Sequence, residues 1–89
     1  MSVQLLDFGA KWCGPCRALI PVIADLQKLV PALKIVKVDV DDNQALAAEY
    51  EVYSLPTLVF VYGGKREVVH NLSLNFLVKR AKELLKLSH

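Results

Sequence analysis

The spacing of apolar residues changes twice in the first half of this chain, and that change restricts the fold more than any other feature. Val3 to Phe8 is a short apolar run ending at Gly9, the pattern of a strand that enters a loop. From Pro15 to about Val30 the apolar residues Leu19, Val22, Ile23, Leu26 and Val30 recur at helical spacing. Pro15 suits a first helical turn, where no backbone donor is needed. Pro21 removes one backbone bond inside the helix and predicts a kink, and Pro31 closes the segment. Lys34 to Val40 is β-branched and predicts a second strand. A strand, a helix of this length and a strand predict a right-handed crossover with the two strands parallel.

The second half reads differently. Asp41, followed three residues later by Gln44, predicts a capping box for a short helix that shares Leu46, Ala47 and Tyr50 on one face. Thr57 to Tyr62 is uniformly apolar and predicts a central strand. Gly63-Gly64 is a hairpin signal leading into an edge strand from Arg66 to His70. Ser73 predicts the cap of a last helix whose Leu77, Ala81, Leu84 and Leu85 face inward, with Lys79, Arg80, Lys82 and Lys86 mostly solvated. The order βαβαββα predicts an α/β fold, a mixed sheet with helices on both faces.

Length and composition bound the function. Residues 1–89 suit one domain, and 54% apolar content excludes a disordered chain. The formal charge of +2 comes from scattered basic residues, so no electrostatic footprint for nucleic acid or an acidic membrane is present. The longest apolar stretch, Leu55 to Tyr62, is broken by Pro56 and is too short to span a bilayer. Met1 to Asp7 carries no basic n-region and no small-residue cleavage site, so the expected location is the cytoplasm, without a signal peptide.

The chain has two cysteines, Cys13 and Cys16, in the run Trp12-Cys13-Gly14-Pro15-Cys16. A bridge between them closes so short a loop that it hardly restricts the unfolded chain, and stabilisation is a poor reason for the pair. If the strand ends near Phe8 and the helix begins near Gly14, Cys13 lies at the helix N-terminus. There the unpaired N–H groups and the helix dipole favour a thiolate, a nucleophile near neutral pH. Cys16, one turn into the same helix, is within reach and is expected to be the less exposed of the two, as suits a resolving thiol. Gly14 permits a tight turn and Pro15 stiffens the helix start. Two other readings are weaker. Cysteines are often inert small hydrophobes. Half of a zinc site needs further ligands, and His70 and His89 lie far along the chain. The strand–CxxC–helix setting favours redox chemistry, with no metal.

Asp7-Phe8-Gly9-Ala10-Lys11-Trp12-Cys13-Gly14-Pro15-Cys16 resembles the active-site strand and loop of the thioredoxin family almost position for position. The likeness continues through Pro21, Lys37-Val38-Asp39-Val40-Asp41, Leu55-Pro56-Thr57 and Gly63-Gly64 and covers nearly the whole chain. It implies a protein-disulfide reductase that uses a reversible Cys13–Cys16 disulfide and no other cofactor. Asp7 matches a buried carboxylate that assists proton transfer at Cys16, and Lys37 matches a lysine able to pair with it. Pro56 matches a cis-proline that, with Leu55, offers backbone groups to a substrate peptide. Trp12, Gly14 and Pro15 complete that substrate-facing surface, with Trp12 exposed. The implied partners are disulfide-containing proteins and a flavin-dependent thioredoxin reductase.

The departures are equally specific. Thioredoxins usually carry a strand and a helix before the Asp7 strand, whereas only six residues precede Asp7 here. The expectation is therefore a minimal thioredoxin fold of four strands in the order 2-1-3-4, a monomer whose bare sheet edge leaves room for weak dimerisation. Gly9 stands where the family commonly has an aromatic, which leaves space or lets backbone approach closely. Val69-His70-Asn71-Leu72-Ser73 replaces the family's glycine after the last strand and is shorter by about two residues, judged by usual connection lengths. Here His70 reads as an edge-strand residue, not a catalyst. Beside the general reductase stand two alternatives: a dedicated electron carrier for one partner, and a binding module of the same fold without turnover.

Overall fold

The structure, a computed structural model, describes residues 2–87. Its elements are β1 (Val3–Gly9), α1 (Gly14–Leu29), β2 (Lys34–Asp39), α2 (Gln44–Glu49), β3 (Thr57–Tyr62), β4 (Lys65–Val69) and α3 (Leu74–Leu87). The four strands form one sheet in the order β2-β1-β3-β4, with β1 parallel to β2 and antiparallel to β3. This is the four-stranded mixed sheet and strand order expected from the sequence. β1 and β3 are interior, which is why both carry apolar residues on both faces.

Alternation along β1 divides the core. Val3 and Leu5 point to the face covered by α1 and α3, where they meet Leu26, Phe60, Leu77 and Leu84, all fully buried. Leu6 and Phe8 point to the opposite face, with Val38 and Val59, under Leu46 and Tyr50 of the α2 region. The register fixes this division, because Leu5 pairs with Phe60 and Leu6 with Val59. Phe8 and Tyr50 bring their ring centroids to 5.6 Å in a tilted arrangement that anchors the short helix.

The local signals resolve in three ways. Gly63 and Gly64 both take positive φ, 53° and 77°, closing a two-residue hairpin with Tyr62 opposite Lys65. Ser73 caps α3 through its Oγ, which accepts from the Phe76 N–H at 3.3 Å. α1 runs on through Pro21, whose nitrogen has no proton to donate to the Arg17 carbonyl. Two expectations are corrected. The capping box does not form: α2 starts at Gln44 with Asn43 as its cap residue, so Asp41 lies too early to reach the helix amides. β4 spans Lys65–Val69, one residue earlier than expected, because the tight glycine turn lets pairing start immediately, and His70 lies beyond its end.

α2 ends in a paired set of bonds normally closed by glycine. Val52 N–H donates to Ala47 O at 2.9 Å and Glu51 N–H to Ala48 O at 3.1 Å, with Glu51 held at φ 54°. Across the sheet edge, Arg80 of α3 grips Glu67 of β4 through Nε and Nη2, at 2.7 and 2.6 Å. This fork holds the Glu67 carboxyl below its ordinary value and the guanidinium above its own.

Leu26→Ala is expected to cost about 3 kcal/mol, the typical value for truncating a fully packed leucine, in urea unfolding. Glu51→Gly is expected to stabilise by roughly 0.5–1 kcal/mol, because glycine adopts the left-handed cap without steric cost.

Candidate active site

β1 delivers the site. Its last residues are paired with neighbours on both sides, Gly9 opposite Asp39 of β2 and Phe8 opposite Thr57 of β3. The chain then turns once, with Cys13 N–H donating to Ala10 O at 3.1 Å, and enters α1. Cys13 occupies the N-cap position of α1 in extended geometry, φ −85° and ψ 109°. Its Sγ accepts a hydrogen bond from the Cys16 N–H at 3.2 Å, one of the donors a helix start leaves unpaired. A serine or aspartate oxygen usually takes that bond. Here a sulfur does, and negative charge on it is favoured by the bond and by the helix dipole.

Cys13 and Cys16 are joined as a disulfide, with their Cα atoms 5.3 Å apart. Gly14 and Pro15 between them are exposed, and Pro15 sits in the first turn of the helix. Trp12 is 68% exposed and is held in place: its indole Nε1–H donates to Asp41 Oδ2 at 2.9 Å. Asp41 thus anchors the aromatic beside the disulfide instead of capping α2. Sequence reasoning misses this role. The available signal is the acidic run Asp39-Val40-Asp41-Asp42 where β2 ends, at the same end of the sheet as the Cys13 turn.

Burial of the two cysteines reverses the sequence expectation. Cys13 is only 5% exposed, whereas Cys16 is partly exposed. Cys16 borders an open cleft of about 180 Å3 that Gly9 also lines, and a Cβ at Gly9 would stand 3.4 Å from Cys16 Sγ.

Asp7 and Lys37 are register partners on β1 and β2, and both line this same cleft. Partial burial pushes the Asp7 carboxyl above its ordinary value, and the Lys37 charge opposes that rise less strongly. The ion pairs among the described residues do not include these two, so Lys37 acts at a distance, with its own side chain exposed.

The Leu55–Pro56 peptide bond is cis. Pro56 directly precedes Thr57, the partner of Phe8, which sets the 55–56 segment beside the strand end from which the Cys13 turn departs. Leu55 packs into the α2-side core. A groove of about 300 Å3 runs past Pro56 between Tyr53, Thr57 and His70, and Tyr53 is 88% exposed at its rim. Among the described residues no three or more His, Cys, Asp or Glu side chains are grouped so as to hold a metal ion. His89 lies outside the described residues. Among the described residues, too, no helix is long and apolar enough to cross a membrane.

Comparison with known proteins agrees with this geometry. A thioredoxin family model matches residues 1–83. A thioredoxin of Bacillus subtilis (strain 168) is 47% identical over 89 residues, 99% of this chain and 83% of that protein. A thioredoxin H-type 1 of Nicotiana tabacum is 46% identical over 64 residues, covering 72% of this chain and about half, 51%, of that protein. Among solved structures, a mutant thioredoxin from Halobacterium salinarum NRC-1 superposes with a TM-score of 0.84 at 40% identity, over 93% of this chain and 74% of that one.

The raised native value of Asp7 has a definite pH signature. A carboxyl that holds its proton more tightly when folded contributes stability fully below its unfolded value, near 3.8, and loses it as pH rises through the native value. Asp7→Asn is therefore expected to gain stability relative to wild type as pH rises through that window, to unfold at higher urea than wild type at neutral pH, and to lose the advantage below the ordinary carboxylate range. Urea midpoints measured across pH check this.

Proposed function

Since the chain belongs to the thioredoxin family, with a disulfide at a helix N-terminus, and works as a thiol–disulfide oxidoreductase, we propose that it reduces disulfides of other proteins through Cys13 and is itself recharged by a flavin-dependent thioredoxin reductase. The carrying observation is the hydrogen bond from Cys16 N–H to Cys13 Sγ at the start of α1. It supports a reading in which Cys13 is the sulfur stabilised as a thiolate, and hence nucleophile in one direction and leaving group in the other.

In the reduced protein the Cys13 thiolate attacks one sulfur of a substrate disulfide, and the other substrate sulfur leaves with the electron pair. Cys16, deprotonated, then attacks Cys13 Sγ, expels the second substrate sulfur as a thiolate and restores the Cys13–Cys16 bond. Two electrons pass to the substrate, whose sulfurs end as thiols. Asp7 accepts the Cys16 proton in this scheme. A carboxyl with a raised affinity for protons near Cys16 suits that task, and Lys37 limits the rise. No cofactor beyond the disulfide is invoked.

Substrate binding is assigned to the exposed rim of the site. An extended peptide pairs its backbone with Leu55-Pro56 and lies against Trp12, Gly14 and Pro15. The hydrogen bond from Trp12 to Asp41 supports this role, because a fixed, exposed aromatic loses little entropy when a partner covers it. The cytoplasm is the proposed location, since a close, catalytic dithiol is the expected use of cysteines in a reducing compartment.

Cys13→Ser is expected to abolish reduction of a disulfide protein, and Cys16→Ser to accumulate mixed disulfides with substrate that are visible on non-reducing gels. Full turnover by Cys13→Ser would overturn the assignment.

A further inference from the structure

The proposed protein-disulfide chemistry uses the rim formed by Trp12, Pro15 and Pro56, none of which lines the cleft that reaches Cys16. Gly9 and Cys16 line a cleft of about 180 Å3, with Asp7 and Lys37 on its sheet wall and Arg17 and Ile20 on its helix wall, whereas Cys13 does not line it. Cys16 lines this space directly, and a Cβ on Gly9 would sit 3.4 Å from its sulfur. The cleft is too small for a folded protein and large enough for a molecule of a few heavy atoms, at roughly 30 Å3 for each water-sized group.

We propose that this cleft is an entry for low-molecular-weight thiols, which reduce the Cys13–Cys16 disulfide by attacking Cys16 Sγ through a space that none of the proposed substrate-facing residues lines. The proposal rests on the disulfide being redox-active, and it adds a second class of electron donor that reaches the other sulfur.

The choice of sulfur follows from access and leaving-group chemistry. Cys16 is the partly exposed member of the pair and Cys13 the buried one. Attack on Cys16 expels Cys13, whose Sγ already accepts the Cys16 N–H bond at the helix N-terminus. A leaving thiolate stabilised in this way departs faster than one that is not. In the first step a thiolate RS⁻ forms a bond to Cys16 Sγ, the Cys13–Cys16 bond breaks, and its electron pair leaves on Cys13. In the second step another RS⁻ attacks the sulfur of the bound R group and releases Cys16 as a thiolate together with RSSR. Two thiols are oxidised and one protein disulfide is reduced. The two protons given up by the thiols are taken by solvent or by the new cysteine thiolates. The walls carry Lys37 and Arg17 against Asp7 and Asp39, so formal charges balance and neutral thiols are admitted.

The test closes the cleft without altering Trp12, Pro15 or Pro56. Gly9 lies in regular strand pairing, and a methyl there meets Cys16 at ordinary contact distance, so Gly9→Ala is compatible with the fold, while Gly9→Phe fills the cleft. Oxidised protein is mixed with 2-mercaptoethanol, quenched with acid, and its free thiols are counted by alkylation and mass spectrometry. Separately, pre-reduced protein is mixed with insulin to follow delivery of electrons to a protein disulfide. Gly9→Phe is expected to slow reduction by 2-mercaptoethanol at least about tenfold, or about 1.4 kcal/mol of added barrier, and Gly9→Ala to fall between it and wild type. Insulin reduction by Gly9→Ala, whose methyl leaves Asp7 and Cys16 in the same cleft, is expected to stay within about twofold of wild type, less than about 0.5 kcal/mol. In a Cys13→Ser background, labelling of Cys16 by methyl methanethiosulfonate is expected to slow in the same order. Equal rates of 2-mercaptoethanol reduction in wild type and Gly9→Ala, together with unchanged Cys16 labelling, would overturn the proposal even if Gly9→Phe did not fold. A wild-type protein that takes electrons from 2-mercaptoethanol but fails to reduce insulin would instead overturn the protein-disulfide reading and leave the cleft assignment standing.

Discussion

Everything in this molecule depends on β1 being hydrogen-bonded along both edges and covered on both faces. It pairs with β2 on one side and β3 on the other, and its alternate residues supply both halves of the core. A strand held in this way cannot slip by one residue without exchanging its two apolar sets, so its end point is fixed. That end point determines where the chain turns, which residue becomes the cap of α1 and which sulfur meets the helix amides. The chemistry of Cys13 is thus a consequence of register in a strand that contains no cysteine.

The same rigidity sets two unlike surroundings for the disulfide. Trp12 is tethered by Asp41, and the cis Leu55–Pro56 segment stands next to the end of β1. Behind Cys16, the alternation that points Asp7 toward α1 points Gly9 the same way, two residues later. One face of the strand therefore carries a carboxyl with raised proton affinity and an empty position side by side, and Cys16 borders the gap. Electrostatics and access at the second sulfur are both set by the inward face of one strand.

Much of this is legible in the residues. The period change at Gly9, Pro15 at a helix start, and the Gly63-Gly64 turn lead to the elements, because each reflects local backbone geometry, whereas the strand order follows from the resemblance to thioredoxins. The resemblance to thioredoxins draws attention to Asp7, Lys37, Trp12, Leu55 and Pro56, and in the structure Asp7 and Lys37 line one cleft with Cys16. What fails are inferences about partners distant in sequence. Spacing to Gln44 makes Asp41 a helix cap, yet its carboxylate serves Trp12, twenty-nine residues earlier. Depth in the helix makes Cys16 the hidden sulfur. It is instead partly exposed, on a cleft that Gly9 of the neighbouring strand also lines.

The sequence by itself determined the order of elements, the two apolar faces of β1 and the placement of a cysteine at the start of α1, since periodicity, turn chemistry and helix-start preference act over a few residues. Tertiary structure decided which sulfur is buried, which carboxylate holds Trp12 and in which direction Asp7 departs from an ordinary acid. Those properties are set by atoms brought together from β1, α1 and β2 through folding, and desolvation and steric access have no value until those surfaces meet.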